Sequence, residues 1–307
     1  MTVHTIAGDQ GYTPVVVKDR PDVGAVDASR ATFKLKNNGS KPRNEYPVQV
    51  YGLAPGASVF GGTVFGEVDQ DAEWRKIYSD SGNSAAVRAE DCPGVEICEW
   101  RIERAWDAVR VSWRCPDFLI CNIWATDCRD DAVENDRAQS GVISDCMFDG
   151  MFSGISIDPS SSSPVPDAYK QTVIISSVLL RLKCYLYEGE MTHSSFIKTD
   201  SDPVNKGGAN TPELKFYDCV FAMETPFHHS YRSMRDAWAR AAHCEDNYLL
   251  NLSDTPLASV KGYPMPPAGW TVVEGQAARD LWAQKRDEWI AKRNGVEPQP
   301  LPETVTA

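Results

Sequence analysis

Gly94-Val95-Glu96-Ile97-Cys98-Glu99-Trp100-Arg101-Ile102 is matched 23 residues on by Asp117-Phe118-Leu119-Ile120-Cys121-Asn122-Ile123-Trp124-Ala125, and again by Gly141-Val142-Ile143-Ser144-Asp145-Cys146-Met147-Phe148. Ile97, Ile120 and Ile143 form one column, Glu99, Asn122 and Asp145 a second, and Trp100, Ile123 and Cys146 a third. Looser copies follow at Val173-Ile174-Ile175-Ser176-Ser177-Val178 and at Leu214-Lys215-Phe216-Tyr217-Asp218-Cys219-Val220-Phe221. A fixed period of this length marks stacked supersecondary units, none of which can bury its apolar face alone.

Each unit carries a second alternating run: Ala86-Val87-Arg88-Ala89, Ala108-Val109-Arg110-Val111, Ala132-Val133-Glu134-Asn135, Gly154-Ile155-Ser156-Ile157 and Phe196-Ile197-Lys198-Thr199. Strict alternation is the pattern of half-buried strands. The units are rich in Val, Ile and aromatic residues rather than leucine, and none holds a helix-length apolar period. The expected fold is therefore all-β, a single-stranded right-handed parallel β-helix with an irregular N-terminal cap and a C-terminal capping α-helix. Residues 1–45 read as the cap, with Asn37-Asn38-Gly39-Ser40 as a turn, and 46–252 as the coil. Residues 253–295 hold a helix over 275–293, with Ala278, Leu281, Trp282, Trp289 and Ile290 on its apolar side, expected to pack over an open end. The tail, 296–307, carries three prolines and reads as disordered. The spacing of the second column widens after Asp145, and the extra residues fall at 158–167 and 200–212, which read as loops on one face. Asn122 and Asp145 are expected at one rung corner, satisfying backbone groups with their side chains.

The chain has 307 residues, 42% hydrophobic, and a net charge of −12. That charge argues against nucleic acid and anionic membranes as partners, and no apolar run is long enough to span a bilayer. Met1-Thr2-Val3-His4-Thr5 lacks the basic and apolar regions of a signal peptide. The compartment reads as cytoplasmic, or as extracellular or periplasmic if a leader has been removed. Of nine cysteines, Cys92 and Cys115, like Cys98 and Cys121, stand one repeat apart. Stacked positions lie about 4.8 Å apart, so free thiols packed as small apolar residues are expected. No zinc-type spacing of cysteine and histidine occurs, His228-His229 included.

With Val87, Val109, Val133 and Ile155 pointing inward, their neighbours form outward columns. One reads Arg88, Arg110, Glu134, Ser156, Lys198; the next reads Glu90, Ser112, Asp136, Asp158, Asp200. Asp107, Asp131 and Ser153 start the same runs, with Asp130 beside them. Stacked carboxylates repel, and one kept protonated beside an ionised partner suits general acid–base chemistry. The expected site is a shallow groove holding Asp107, Asp130, Asp131, Glu134, Arg110 and Lys198, flanked by Trp106 and Trp113, which read either as stacking platforms or, as large aromatics in a solenoid more often are, as core.

These rungs resemble the polygalacturonase-type glycoside hydrolases, pectin-lyase-like right-handed β-helices whose signature puts N-T-D, D-D, G-H-G and R-I-K on successive rungs. Trp106-Asp107-Ala108-Val109 stands at the first, Arg129-Asp130-Asp131-Ala132-Val133 at the second, Phe152-Ser153-Gly154-Ile155-Ser156-Ile157 at the third and Phe196-Ile197-Lys198-Thr199 at the fourth. The family histidine is replaced by Ser153, its arginine by Phe196, and the Asn-Thr pair by Ala105-Trp106. The resemblance implies Asp130 as general acid, Asp107 and Asp131 as activators of water, and Lys198 as the holder of an acidic sugar; the outward columns add Arg110, Glu134 and Asp136 as expected substrate-binding residues. The implied substrate is an acidic polysaccharide or oligosaccharide, and no metal or other cofactor is expected. An inverting pair of that kind needs carboxyls roughly 6.5–9.5 Å apart. Two alternatives stand beside it. A β-helix polysaccharide lyase would use Arg110 or Lys198 as base, with calcium on Asp136, Asp158 and Asp200. A glycan-binding or structural β-helix would catalyse nothing.

Overall fold

The computed structural model describes residues 1–37, 42–159, 165–199, 210–228 and 230–293. Its strands stack in parallel as the repeat requires, and the chain is a parallel β-helix. Ile97 pairs with Ile120 and Ile120 with Ile143, and the column continues through Ile175 to Phe216. All five side chains are buried. A second interior column runs Val87, Val109, Val133, Ile155, Ile197.

The central rungs hold three strands, as in Glu96–Cys98, Arg101–Glu103 and Asp107–Val111. The quoted stretch is thus two strands meeting at a corner. Glu99, Asn122, Asp145, Ser177, Asp218 and Asp246 occupy that corner with φ between 49 and 65°. Asn and Asp tolerate this left-handed bend better than most residues, which accounts for the polar column. Among the described residues, the Asn122 and Asp145 side chains do not bond to backbone groups there. The corner amides bond to carbonyls of the next rung, Glu99 N to Cys121 O at 3.1 Å and Asp145 N to Ser176 O at 3.0 Å. That leaves the side chains available, and Arg293 takes two of them: its Nε donates to Asn122 Oδ1 at 2.6 Å, and it pairs with Asp145 at 2.5 Å.

The coil extends past both expected ends. Residues of the expected irregular cap form strands Thr2–Asp9, Val15–Arg20 and Val23–Leu35, in parallel register with one another or with Val48–Leu53. Asn38, Gly39 and Ser40 of the expected turn lie outside the described residues. At the other end Asn247–Asn251 is a rung strand, as anticipated, and Trp270–Glu274 stacks on it.

Three helices cover what the strands leave open. Helix α1 (Trp74–Ser81) is inserted between two rungs, its Glu73 cap accepting from Lys76 N. Trp74 packs against Trp106, Phe152 and Tyr187. Helix α2 (Arg232–Ala239) lies against Ile197–Thr199, the last strand of the third sheet face, and buries Met234, Ala237 and Trp238. The end cap is this helix. Helix α3 (Gly275–Lys292) forms where the sequence places it but covers the flank. Ala278, Trp282 and Trp289 pack on the outward column Trp124, Met147, Leu179, Val220. Eighteen residues rise about 27 Å, between five and six rung steps of about 4.8 Å. The helix therefore fits an apolar flank several rungs long. The expected tail lies outside the described residues, and no described helix is long and apolar enough to cross a membrane.

Cys98 and Cys121 form a disulfide, against the expectation of free thiols. Their Cα atoms are 4.6 Å apart, inside the range a disulfide spans, roughly 4.4–6.8 Å. Stacked cysteines need only lean toward each other. The other seven, including the buried Cys92 and Cys115, are free thiols.

Candidate active site

The third strand of each rung builds the site. Register places Arg88 beside Arg110, Arg110 beside Glu134, Glu134 beside Ser156 and Ser156 beside Lys198, the anticipated column. Asp107 and Asp131 open their strands immediately after a corner, where the chain has not yet settled into alternation. Both can therefore turn toward the same point as Asp130. One carboxylate oxygen from each of the three lies within 4.8 Å of the others.

Two cations hold the cluster. Arg110 donates to Asp107 Oδ2 at 2.8 Å and pairs with Glu134, so it bridges the two. Lys198 Nζ donates to both oxygens of Asp131, at 3.2 and 3.0 Å. Asp107 Oδ1 accepts from the Asp131 amide at 3.2 Å. Asn83 Nδ2 donates to Glu134 Oε1 at 3.3 Å and its Oδ1 accepts from Trp106 Nε1 at 2.9 Å. Asp130 Oδ1 and Ser153 Oγ are buried without a hydrogen-bond partner among the described residues.

The carboxylates outnumber the cations that touch them, and their protons follow. Burial, then Asp131, drives the Asp130 carboxyl well above the usual range, with Lys198 opposing. Burial raises Asp131 to about 6 despite Lys198, with Asp107 adding to the rise. Burial followed by Asp107 and Asp136 raises Glu134, against Arg110. Burial works against the charge on Arg110, yet Asp107 and Glu134 outweigh it and hold the guanidinium protonated. Lys198 is likewise held protonated, chiefly by Asp131 and Asp130, although burial works the other way.

Several expectations are corrected. The aspartates lie in a closed setting and not in a shallow groove: Asp107 is 0% exposed, Asp131 2% and Asp130 4%. Their spacing is tighter than an inverting pair with water between needs. Trp106 is no stacking platform; it is fully buried, packed on Trp74 and Tyr78. Trp113 is half exposed, with the Arg137 guanidinium 3.3 Å from its ring centre. Arg110, Glu134 and Asp136 do share a cavity of about 190 Å³, whose walls also include Arg88, Trp113 and Arg137. Lys198 meets the cluster from the rung side and is not on that wall.

Of the calcium ligands of the lyase alternative, Asp136 lines the cavity described above. Asp200 lies outside the described residues. Among the described residues, the acidic group close enough to share an ion is Asp107, Asp130 and Asp131. Lys198 and Arg110 already occupy two of those carboxylates, whereas calcium wants roughly six to eight oxygens. The residues do not fit that ion.

Asn83, Trp74 and Tyr46 were not foreseen. Tyr46 accepts from Arg110 Nη1 at 3.3 Å and donates to Asn83 O at 2.8 Å. All three come from segments outside the repeat, so the 23-residue period carries no signal for them. Comparison with protein-family models, with curated proteins and with solved structures gives no match to this chain.

Proposed function

We propose that this chain is a carbohydrate-active, pectin-lyase-like β-helix protein that cleaves an acidic polysaccharide or oligosaccharide by carboxylate acid–base hydrolysis. The observation that carries the reading is the meeting of Asp107, Asp130 and Asp131 within 4.8 Å, with burial keeping a proton on Asp130. A glycosidic oxygen needs a proton as it leaves, and Asp130 is the carboxyl best supplied to give one. Asp131, held by Lys198 and titrating at about 6, is its partner carboxylate. Arg110 keeps Asp107 in place and, with Asp136, meets the acidic sugar from the adjoining cavity.

The lyase alternative is weaker, because its base must be unprotonated. Lys198 and Arg110 are both held protonated by the carboxylates they touch. A second reading draws support from the burial of the aspartates: a glycan-binding β-helix that presents Trp113 and the neighbouring arginines without catalysis. A screen of acidic and neutral polysaccharides for reducing ends, with ultraviolet absorbance of unsaturated products followed in parallel, tests all three. Reducing ends without absorbance are expected. Absorbance would replace the assignment with a lyase, and silence on both, with retained glycan binding, would replace it with the second reading.

A further inference from the structure

Arg129 directly precedes Asp130 and is buried at 0% exposure. Its Nη2 donates to Ala72 O at 2.6 Å, and its guanidinium lies 4.3 Å from the Tyr185 ring centre. Nε and Nη1 have no hydrogen-bond partner among the described residues. Buried donors of a charged group are costly to leave unmade. The carboxylates whose charge reaches it are Asp69, Asp130 and Glu73, and among the described residues none accepts a hydrogen bond from it. Asp69 accepts from the Asp71 and Ala72 amides, and Glu73 from the Lys76 and Glu188 amides. Asp130 keeps its proton. Arg110 and Lys198, by contrast, are bonded to carboxylates of the cluster. Arg129 is thus a cation beside the proposed acid with donors still to place.

One insertion closes over both residues. Ala72 leads into α1, and Trp74 packs on Trp106 and Phe152, near enough to Asp130 to act on its carboxyl. The insertion is tied down by the hairpin of Tyr185–Tyr187 and Glu190–Thr192. Arg75 Nη2 donates to Glu188 Oε1 at 3.1 Å and to Tyr187 Oη at 2.8 Å, and Glu188 N donates to Glu73 Oε1 at 2.9 Å. The Arg75 and Glu188 side chains are both more than half exposed, and exposed pairs of this kind hold weakly. Lifting the insertion removes Asp69, Ala72 and Glu73 from Arg129 together. Tyr185 stays on the coil behind it, since its hydroxyl donates to Gly150 O at 2.6 Å. The same movement uncovers Asp130, which is 4% exposed and can meet no glycan otherwise.

We propose that α1 is a lid, and that Arg129, uncovered with Asp130 when it lifts, recognises the carboxylate of an acidic sugar; this rests on the acidic-glycan reading above. Guanidinium N–H groups match paired carboxylate oxygens, so the sugar supplies the partner that the closed state leaves unmade. Trigalacturonate and its neutral methyl ester, titrated calorimetrically into Asp130→Asn at constant ionic strength, provide the test without turnover. The acid should bind about tenfold or more tighter than the ester. Adding Arg129→Gln should bring the acid down to the ester's affinity and leave the ester's unchanged, whereas a merely structural arginine would weaken both alike. Should Arg129→Gln fail to fold, hydrogen exchange in Asp130→Asn decides: trigalacturonate should speed exchange of the Trp74–Ser81 amides. Absence of binding, equal affinity for acid and ester, a preference retained in Arg129→Gln, or unaltered α1 exchange would overturn the proposal. Release of reducing ends by wild type is read separately. Cleavage without the acid preference would end this proposal alone, and the preference without cleavage would end the hydrolase reading alone.

Discussion

Replacing Asp131 with asparagine should change how stability depends on pH, and the structure fixes both sign and size. The Asp131 carboxyl is raised from 3.8 to about 6 in the folded protein. Folding therefore favours its protonated form. Its contribution is most favourable below the unfolded pKa, and stability is lost as pH rises through about 6. At about 1.36 kcal/mol per pH unit, the loss is about 3 kcal/mol. Other carboxylates act in the opposite sense, such as Asp69, held low by the Asp71 and Ala72 amides. For that reason the quantity to read is the difference between wild type and Asp131→Asn. Urea unfolding of both proteins between about pH 4 and about pH 8 supplies it. Loss of the Lys198 partner adds an offset that is constant over this range, since Lys198 stays protonated throughout. The difference should favour wild type at the acid end and shift by about 3 kcal/mol toward the variant by neutrality. A difference that is flat across the range would refute the buried, strained cluster.

Three further outcomes follow from the packing. Ile120→Ala opens a hole between Ile97 and Ile143 in the interior column and should cost about 2–5 kcal/mol in chemical unfolding. Trp289→Ala removes the contact with Trp124 and should release α3 from the flank, read as a drop in stability with new dye-accessible apolar surface on the Trp124, Met147, Leu179 column. Serine at both Cys98 and Cys121 should lower stability by about 3 kcal/mol for a closed loop of 23 residues, and reductant should then have no further effect.

The interior of this fold was legible because stacking forces repetition: Ile97, Ile120 and Ile143 must resemble one another to pack. The outward column Arg88, Arg110, Glu134, Ser156, Lys198 followed from the same register. The corner at Glu99 was hidden, because a single left-handed residue bends the chain without breaking the apolar pattern on either side. The N-terminal rung escaped notice for a different reason. Thr2–Asp9 has a neighbour on one side only and buries little beyond Ile6, so its sequence shows no alternation. The three aspartates were legible as residues but their closure was not. Asn83 reaches the neighbouring Glu134 and Trp74 covers Trp106, both from insertions, and contacts made across insertions leave no period. Helix α3 was legible as an amphipathic element, while its docking surface was not. Trp124, Met147, Leu179 and Val220 form a column only once the corner is known.

Acid catalysis by a proton held on Asp130 can be read from the rate of reducing-end release from polygalacturonate by wild type and by Asp130→Asn. Asparagine keeps the shape and removes the titrating group. Wild type should release reducing ends measurably, and the variant should lose about 100-fold or more in kcat with KM little changed. Full activity in Asp130→Asn, or loss of activity only when Arg110 or Lys198 is replaced, would contradict it.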